Sequence, residues 1–99
     1  MLLGLGGIWV EALGDVRLVS PAASRQTIVE ELLGLRSAKL LRGFRGSPAV
    51  DLDGIADAAL AIGRLMLSVP AIMEIDVNPL VAYAKGEGVI ALDALIVTD

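Results

Sequence analysis

The sequence predicts an α+β fold in which one antiparallel sheet is covered by two helices. Three observations predict it. Period-two alternation of polar and apolar residues in EIDVNPL, Glu74 to Leu80, reads as a strand. β-prone segments separated by glycine turns lie at both ends of the chain. Between them, two stretches repeat apolar residues at three- and four-residue spacing. Hairpins outside and helices inside give the order β β α α β β β, which is that of a layered α+β domain.

The elements follow in order. Gly4, Gly6 and Gly7 open the chain as a loop. Ile8 to Glu11 and Val16 to Val19 are short and β-prone, and Leu13-Gly14-Asp15 reads as the turn of a hairpin between them. Ser24 is a suitable N-cap for a helix from Arg25 to Leu33, with Ile28, Val29, Leu32 and Leu33 as its apolar face and Gly34 just past its end. Leu35 to Pro48 is basic and glycine-containing and reads mostly as loop. Asp51 or Asp53 caps a second helix, whose stripe runs from Leu52 through Ile55, Ala56, Ala59, Ile62, Gly63 and Met66 to Val69. Pro70 ends it. Ile72 to Asn78 is a strand, and Leu80 to Ala84 and Val89 to Val97 flank the turn Lys85-Gly86-Glu87-Gly88.

Composition narrows the function. The 99 residues make a single domain or a piece of one, 1–99. They contain no cysteine and no histidine, so these residues supply no disulfide, thiolate metal site or histidine-based triad. A net charge of −4 argues against nucleic acid as a partner. The most apolar stretch, Ile55 to Met73, contains Asp57, Arg64 and Pro70, so no membrane span is expected. The opening segment lacks a basic start and meets Glu11 early, unlike a signal peptide, and a cytoplasmic location is expected. Hydrophobic residues nevertheless make up 56% of the chain. So apolar a small domain is expected to leave a surface that meets another domain, another subunit or a second copy of itself.

The polar face of EIDVNPL carries the candidate chemistry. A two-residue turn at Gly86-Glu87 pairs Lys85 with Gly88 and sets Leu80 opposite Asp93. Asn78 and Asp93 then become diagonal neighbours on one face, while a slip of one residue separates them. A carboxylate and an amide carbonyl are hard oxygen donors of the kind Mg²⁺ accepts. Spacing leaves two readings open: a metal face, or a turn at Asn78-Pro79 with Asp93 as an edge-strand charge. Spacing alone favours the second.

EIDVNPL followed by VIALDA resembles the end of the ATP-grasp domain of ADP-forming acyl-CoA synthetases and, more distantly, the succinyl-CoA synthetase β subunit. GLGGIWVEALGDV and LRGFRGSPAVDLDGIADAAL resemble that family's Gly-Leu-Gly-Gly and Gly-aromatic-Arg-Gly segments, and the resemblance covers the whole chain in order. It implies part of an acid–thiol ligase that interconverts acyl-CoA, ADP and phosphate with a carboxylic acid, ATP and CoA. It implies Mg²⁺ on Asn78 and Asp93, and a role for Asp76 beside the histidine that is phosphorylated. It also places the loop with Gly6 and Gly7 near the nucleotide, and favours Arg45 over Arg42 as a phosphate or CoA contact. The first half of an ATP-grasp domain and the catalytic histidine are not in these residues. The expectation is therefore a carboxy-terminal subdomain, a split subunit or a truncated piece, inactive alone, whose partners are the remaining ATP-grasp half and a CoA-binding domain or subunit. The competing expectation is a non-catalytic α+β module, either a dimerising metabolite-binding domain or the pseudo-ligase part of an acetyltransferase fusion.

Overall fold

The computed structural model describes residues 1–5, 15–43, 46 and 48–99. Its strands are β1 (Leu2–Gly4), β2 (Val16–Leu18), β3 (Ile72–Val77), β4 (Leu80–Ala82), β5 (Val89–Ala91) and β6 (Ala94–Thr98). Its helices are α1 (Arg25–Leu33), α2 (Ala38–Arg42) and α3 (Leu52–Ser68). The α+β class holds. Among the described residues the strands form three antiparallel two-stranded ladders, β1–β2, β3–β6 and β4–β5, where the sequence suggested one sheet.

The first ladder corrects the expected opening. Leu2–Gly4 is a strand rather than a loop, and it pairs with Val16–Leu18 with Gly4 opposite Val16. A Cβ on Gly4 would sit 2.9 Å from the Val16 side chain, so the missing side chain allows the close approach. The expected strand at Ile8 to Glu11 lies outside the described residues.

The helices start where their caps are. The Ser24 hydroxyl accepts from the Thr27 N–H at 3.2 Å and opens α1. Asp51 opens α3 by accepting from the Gly54 N–H at 2.9 Å. Ser24 is the cap the sequence named and Asp51 is one of the two it offered, because capping is local chemistry. α2 falls where a loop was expected. Leu35, Ala38 and Leu41 are all buried, at the three-residue spacing of one helical face. The neighbouring glycines and basic residues disguise this pattern in the sequence.

The core lies among the helices. Ile28 and Ala56 are fully buried, and Val19, Leu32, Leu35, Ala38, Leu41 and Ala59 complete the cluster. α3 comes closest to the turn before α1 at a glycine. At Gly63 an added Cβ would come within 2.3 Å of the Pro21 carbonyl oxygen, so only glycine fits. Asp15 ties β2 to α2: its carboxylate accepts from the Arg36 N–H at 2.7 Å, the Ser37 N–H at 3.0 Å and the Ser37 hydroxyl. The Ser37 hydroxyl bond is the main reason its carboxyl sits below the usual value.

No residue of the strands after α3 is more than half-buried. Ile72, Ile75 and Val77 are half-buried, while Glu74, Asp76 and Asn78 are exposed, as the alternation requires. All of β6 is exposed. Among the described residues no helix is long and apolar enough to cross a membrane.

Candidate metal and phosphate site

The sequence-derived residues come together on the hairpin built from β3 to β6. Val77 pairs with Ala94, and beyond the next two residues Leu80 pairs with Ala91. The register is continuous across that gap: the Asn78 N–H donates to the Asp93 carbonyl at 3.1 Å, and the Leu92 N–H donates to the Pro79 carbonyl at 3.1 Å. The Asn78–Pro79 peptide bond is cis. Asn78 and Asp93 are therefore directly opposite one another and share a face. Asp76 lies two residues along β3 on the same face, opposite Leu95.

This corrects the expected register by two residues and leaves its conclusion intact. The turn is centred on Lys85-Gly86, closed by the Glu87 N–H donating to the Ala84 carbonyl at 2.8 Å, rather than on Gly86-Glu87. Gly86 has φ of +84°, a conformation glycine adopts without strain. A shift of two keeps every side chain on its face, since the strand repeat is two residues. Asn78 and Asp93 thus move from diagonal to direct neighbours, about 5 Å apart at their Cβ atoms in an ordinary antiparallel pair.

Chemically, the face presents oxygen donors that have no ion-pair partner among the described residues. The ion pairs among the described residues lie elsewhere: Arg17 with Glu31, and Arg25 with both Asp53 and Asp57. Asp76, Asn78 and Asp93 are all exposed. Among the described residues no three acidic, histidine or cysteine side chains gather into a complete metal cage. An Asn and an Asp opposite one another suit an ion that takes one or two protein ligands and fills its shell with water and phosphate, which is how Mg²⁺ binds. The donor set therefore fits Mg²⁺ as half of a site.

Other expected site residues are not brought to this face by the described structure. Gly6, Gly7 and Arg45 lie outside the described residues. Arg42 is described and exposed. It lines a cleft of about 390 Å³ with Lys85, Val50 and Leu41, away from Asn78 and Asp93.

Sequence reasoning missed one residue of consequence. Asp51 was read only as a cap. Its second carboxylate oxygen also accepts from the Gly88 N–H at 2.8 Å, in the turn that closes the hairpin. The bonds from Gly54 and then Gly88 hold its carboxyl below the usual value. The signal available in sequence was the residue type: an N-cap needs one acceptor, and Asp carries two.

Comparison with known proteins gives one answer. Residues 1–98 match the ATP-grasp domain family. The chain is 42% identical over its whole length to a trans-feruloyl-CoA synthase from an unknown prokaryotic organism, and spans 14% of it. It is 35% identical over 98% of its length to the β subunit of an ADP-forming acetate–CoA ligase of Pyrococcus furiosus, and spans 41% of that subunit. Among solved structures it is similar to the dinucleotide forming acetyl-coenzyme A synthetase 1 of Ca. Korarchaeum cryptofilum in complex with coenzyme A and Mg-AMPPCP. The TM-score is 0.86 at 37% identity, over 99% of this chain and 45% of that one. The chain thus spans less than half the length of these relatives.

Proposed function

The chain belongs to the ATP-grasp domain family, and from that premise we propose that it is the carboxy-terminal subdomain of an ADP-forming acyl-CoA ligase. The parent enzyme would interconvert acyl-CoA, ADP and phosphate with a carboxylic acid, ATP and CoA. The observation that carries this reading is the direct opposition of Asn78 and Asp93 on an exposed face. In this reading the Asp93 carboxylate and the Asn78 side-chain carbonyl hold Mg²⁺. When bound, the ion neutralises charge on the phosphate oxygens of the nucleotide during phosphoryl transfer. Asp76, on the same face, lies where a phosphorylated histidine supplied by another domain would approach, and orients that ring by accepting from its N–H. Gly6, Gly7 and Arg45 are assigned to nucleotide or CoA phosphates on the family resemblance.

The partners follow from surface chemistry. Leu95 and Val97 share the face of Asp76, and Leu95 is 58% exposed. Ile96, on the other face of β6, is 49% exposed. An apolar rim around an acidic metal face fits burial against the remaining ATP-grasp half, with a CoA-binding domain or subunit beyond it. ATP and CoA chemistry puts the assembled enzyme in the cytoplasm.

Substituting Asp93→Ala or Asn78→Ala in the assembled ligase tests the reading. Turnover is expected to fall by about 10²-fold or more. Full turnover in either variant would remove the metal assignment and favour a non-catalytic interaction module.

A further inference from the structure

Asp51 makes a second set of contacts that capping does not require. One carboxylate oxygen accepts from Gly54 N–H at the start of α3, and the other accepts from Gly88 N–H at 2.8 Å. The backbone around it is laced to the same hairpin. The Asp51 N–H donates to the Tyr83 carbonyl at 2.9 Å, the Lys85 N–H donates to the Ala49 carbonyl at 2.9 Å, and Val50 bridges Ala84. Residues 49–51 thus act as a third strand along the end of the hairpin.

The hairpin needs such a guide. Its turn sequence, Lys85-Gly86-Glu87-Gly88, has glycine at two positions and accommodates a two-residue turn at Lys85-Gly86 or at Gly86-Glu87. With the turn at Lys85-Gly86, Tyr83 pairs with Gly88 and Asn78 lies directly opposite Asp93. With the turn at Gly86-Glu87, Lys85 would pair with Gly88 and Asn78 would face Leu95. The two oxygen donors would then be only diagonal. The Gly88 N–H reaches the Asp51 carboxylate in the first arrangement, in which the Lys85 N–H also points to Ala49. We propose that Asp51 is a positioning residue that selects the hairpin register in which Asn78 and Asp93 oppose one another.

The residue type supports this. Ser, Thr, Asn and Asp all cap helices well. Only Asp presents two acceptors that can serve two backbone donors from opposite ends of its carboxylate. An Asn here would turn an N–H₂ toward the Gly88 N–H or the Gly54 N–H, donor against donor. A Ser would reach Gly54 and leave Gly88 without its partner. Ser keeps a good cap without the Gly88 bond, so it separates the register role from the capping role.

The test reads register directly. The chain has no cysteine of its own. Leu80→Cys with Ala91→Cys places two thiols directly opposite in the observed register. Leu80→Cys with Asp93→Cys places them opposite in the alternative one. Each pair is oxidised in the 99-residue chain with Asp51 intact, and again with Asp51→Ser or Asp51→Asn. With Asp51 intact, the 80–91 disulfide is expected to dominate. Losing one hydrogen bond to a charged acceptor should move the ratio of 80–91 to 80–93 closure by about tenfold or more toward 80–93. An unchanged ratio in both Asp51→Ser and Asp51→Asn, with helix content retained by circular dichroism, would overturn the proposal. The consequence for function rests on the metal reading above and has its own arm. In the assembled ligase, Asp51→Ser should raise the Mg²⁺ concentration needed for half-maximal turnover. A register shift without a change in Mg²⁺ requirement would overturn the metal reading and leave the positioning role standing.

Discussion

Ile28 on α1 is fully buried, and Leu32, Leu35 and Leu41 around it are 3–4% exposed. On the β3–β6 hairpin, residues of the same kind stand in the open: Met73 is 65% exposed, Leu95 58% and Ile96 49%. Every buried apolar residue among the described ones lies between Val19 and Ala59, in or beside the helices, although Leu40 and Leu67 there stay exposed. The polar groups of this helical half are satisfied, with Asp15 and Asp51 each holding two or more backbone or hydroxyl donors. In the hairpin half no apolar residue is more than half-buried, and its acids have no cation partner among the described residues. Equal hydrophobicity with unequal burial means that the two halves answer to different demands. The helical half holds the chain together, and the hairpin is built for contacts outside it.

The largest expected effect cuts across that division. Asp93→Ala and Asn78→Ala should lower turnover of the assembled ligase by about 10²-fold or more, as for loss of a group that stabilises transferring charge. Because both side chains are exposed, the urea midpoint should move by no more than about 0.5 kcal/mol equivalent. A large stability loss would place the pair in the structural half instead.

Core substitutions should behave in the opposite way. Ile28→Ala should cost about 2–5 kcal/mol in urea unfolding. Gly63→Ala should also destabilise, because its methyl would meet the Pro21 carbonyl and neither backbone can yield cheaply. A neutral result at Gly63 would show that α3 and the Pro21 turn are less tightly apposed than described.

Acid should act on the helical half through Asp15 and Asp51. Both carboxyls are held below their ordinary value of 3.8. A lowered carboxyl contributes stability that is fully present above the unfolded value and is lost as pH falls through the folded one. Stability measured from pH 5 downward should therefore fall less steeply in Asp15→Asn and Asp51→Asn, each of which starts from a lower plateau. An unaltered pH slope in both variants would contradict the role given to these hydrogen bonds.

The smallest effect should come from Leu95→Ser, which removes exposed apolar surface. Unfolding of the isolated chain should shift by less than about 0.5 kcal/mol, while affinity for the remaining ATP-grasp half should fall. Unchanged affinity would mean that the exposed sheet face meets something else.

How much of this was legible in sequence depended on distance along the chain. Helix starts at Ser24 and Asp51 were readable because a cap bonds a residue three positions on. The polar and apolar faces of β3 were readable because alternation is a property of the strand itself. The pairing of Leu2–Gly4 with Val16–Leu18 was not, since a short glycine-rich segment has no pattern to announce a partner. α2 was hidden because a five-residue helix offers a single turn of periodicity. The register of the last hairpin was missed by two residues because its turn permits two solutions, and the residue that chooses between them lies 37 positions away. The shared face of Asn78 and Asp93 survived the error because a two-residue shift preserves parity.

The central claim is that Asn78 and Asp93 jointly hold the metal that serves phosphoryl transfer. The most direct measurement is a Mg²⁺ titration of turnover in the assembled ligase, comparing wild type with Asp93→Asn, which keeps the size of the side chain and removes its charge. The account predicts a much higher Mg²⁺ requirement with an unchanged unfolding midpoint. Turnover at wild-type Mg²⁺ concentrations, with an unshifted titration curve, would contradict it.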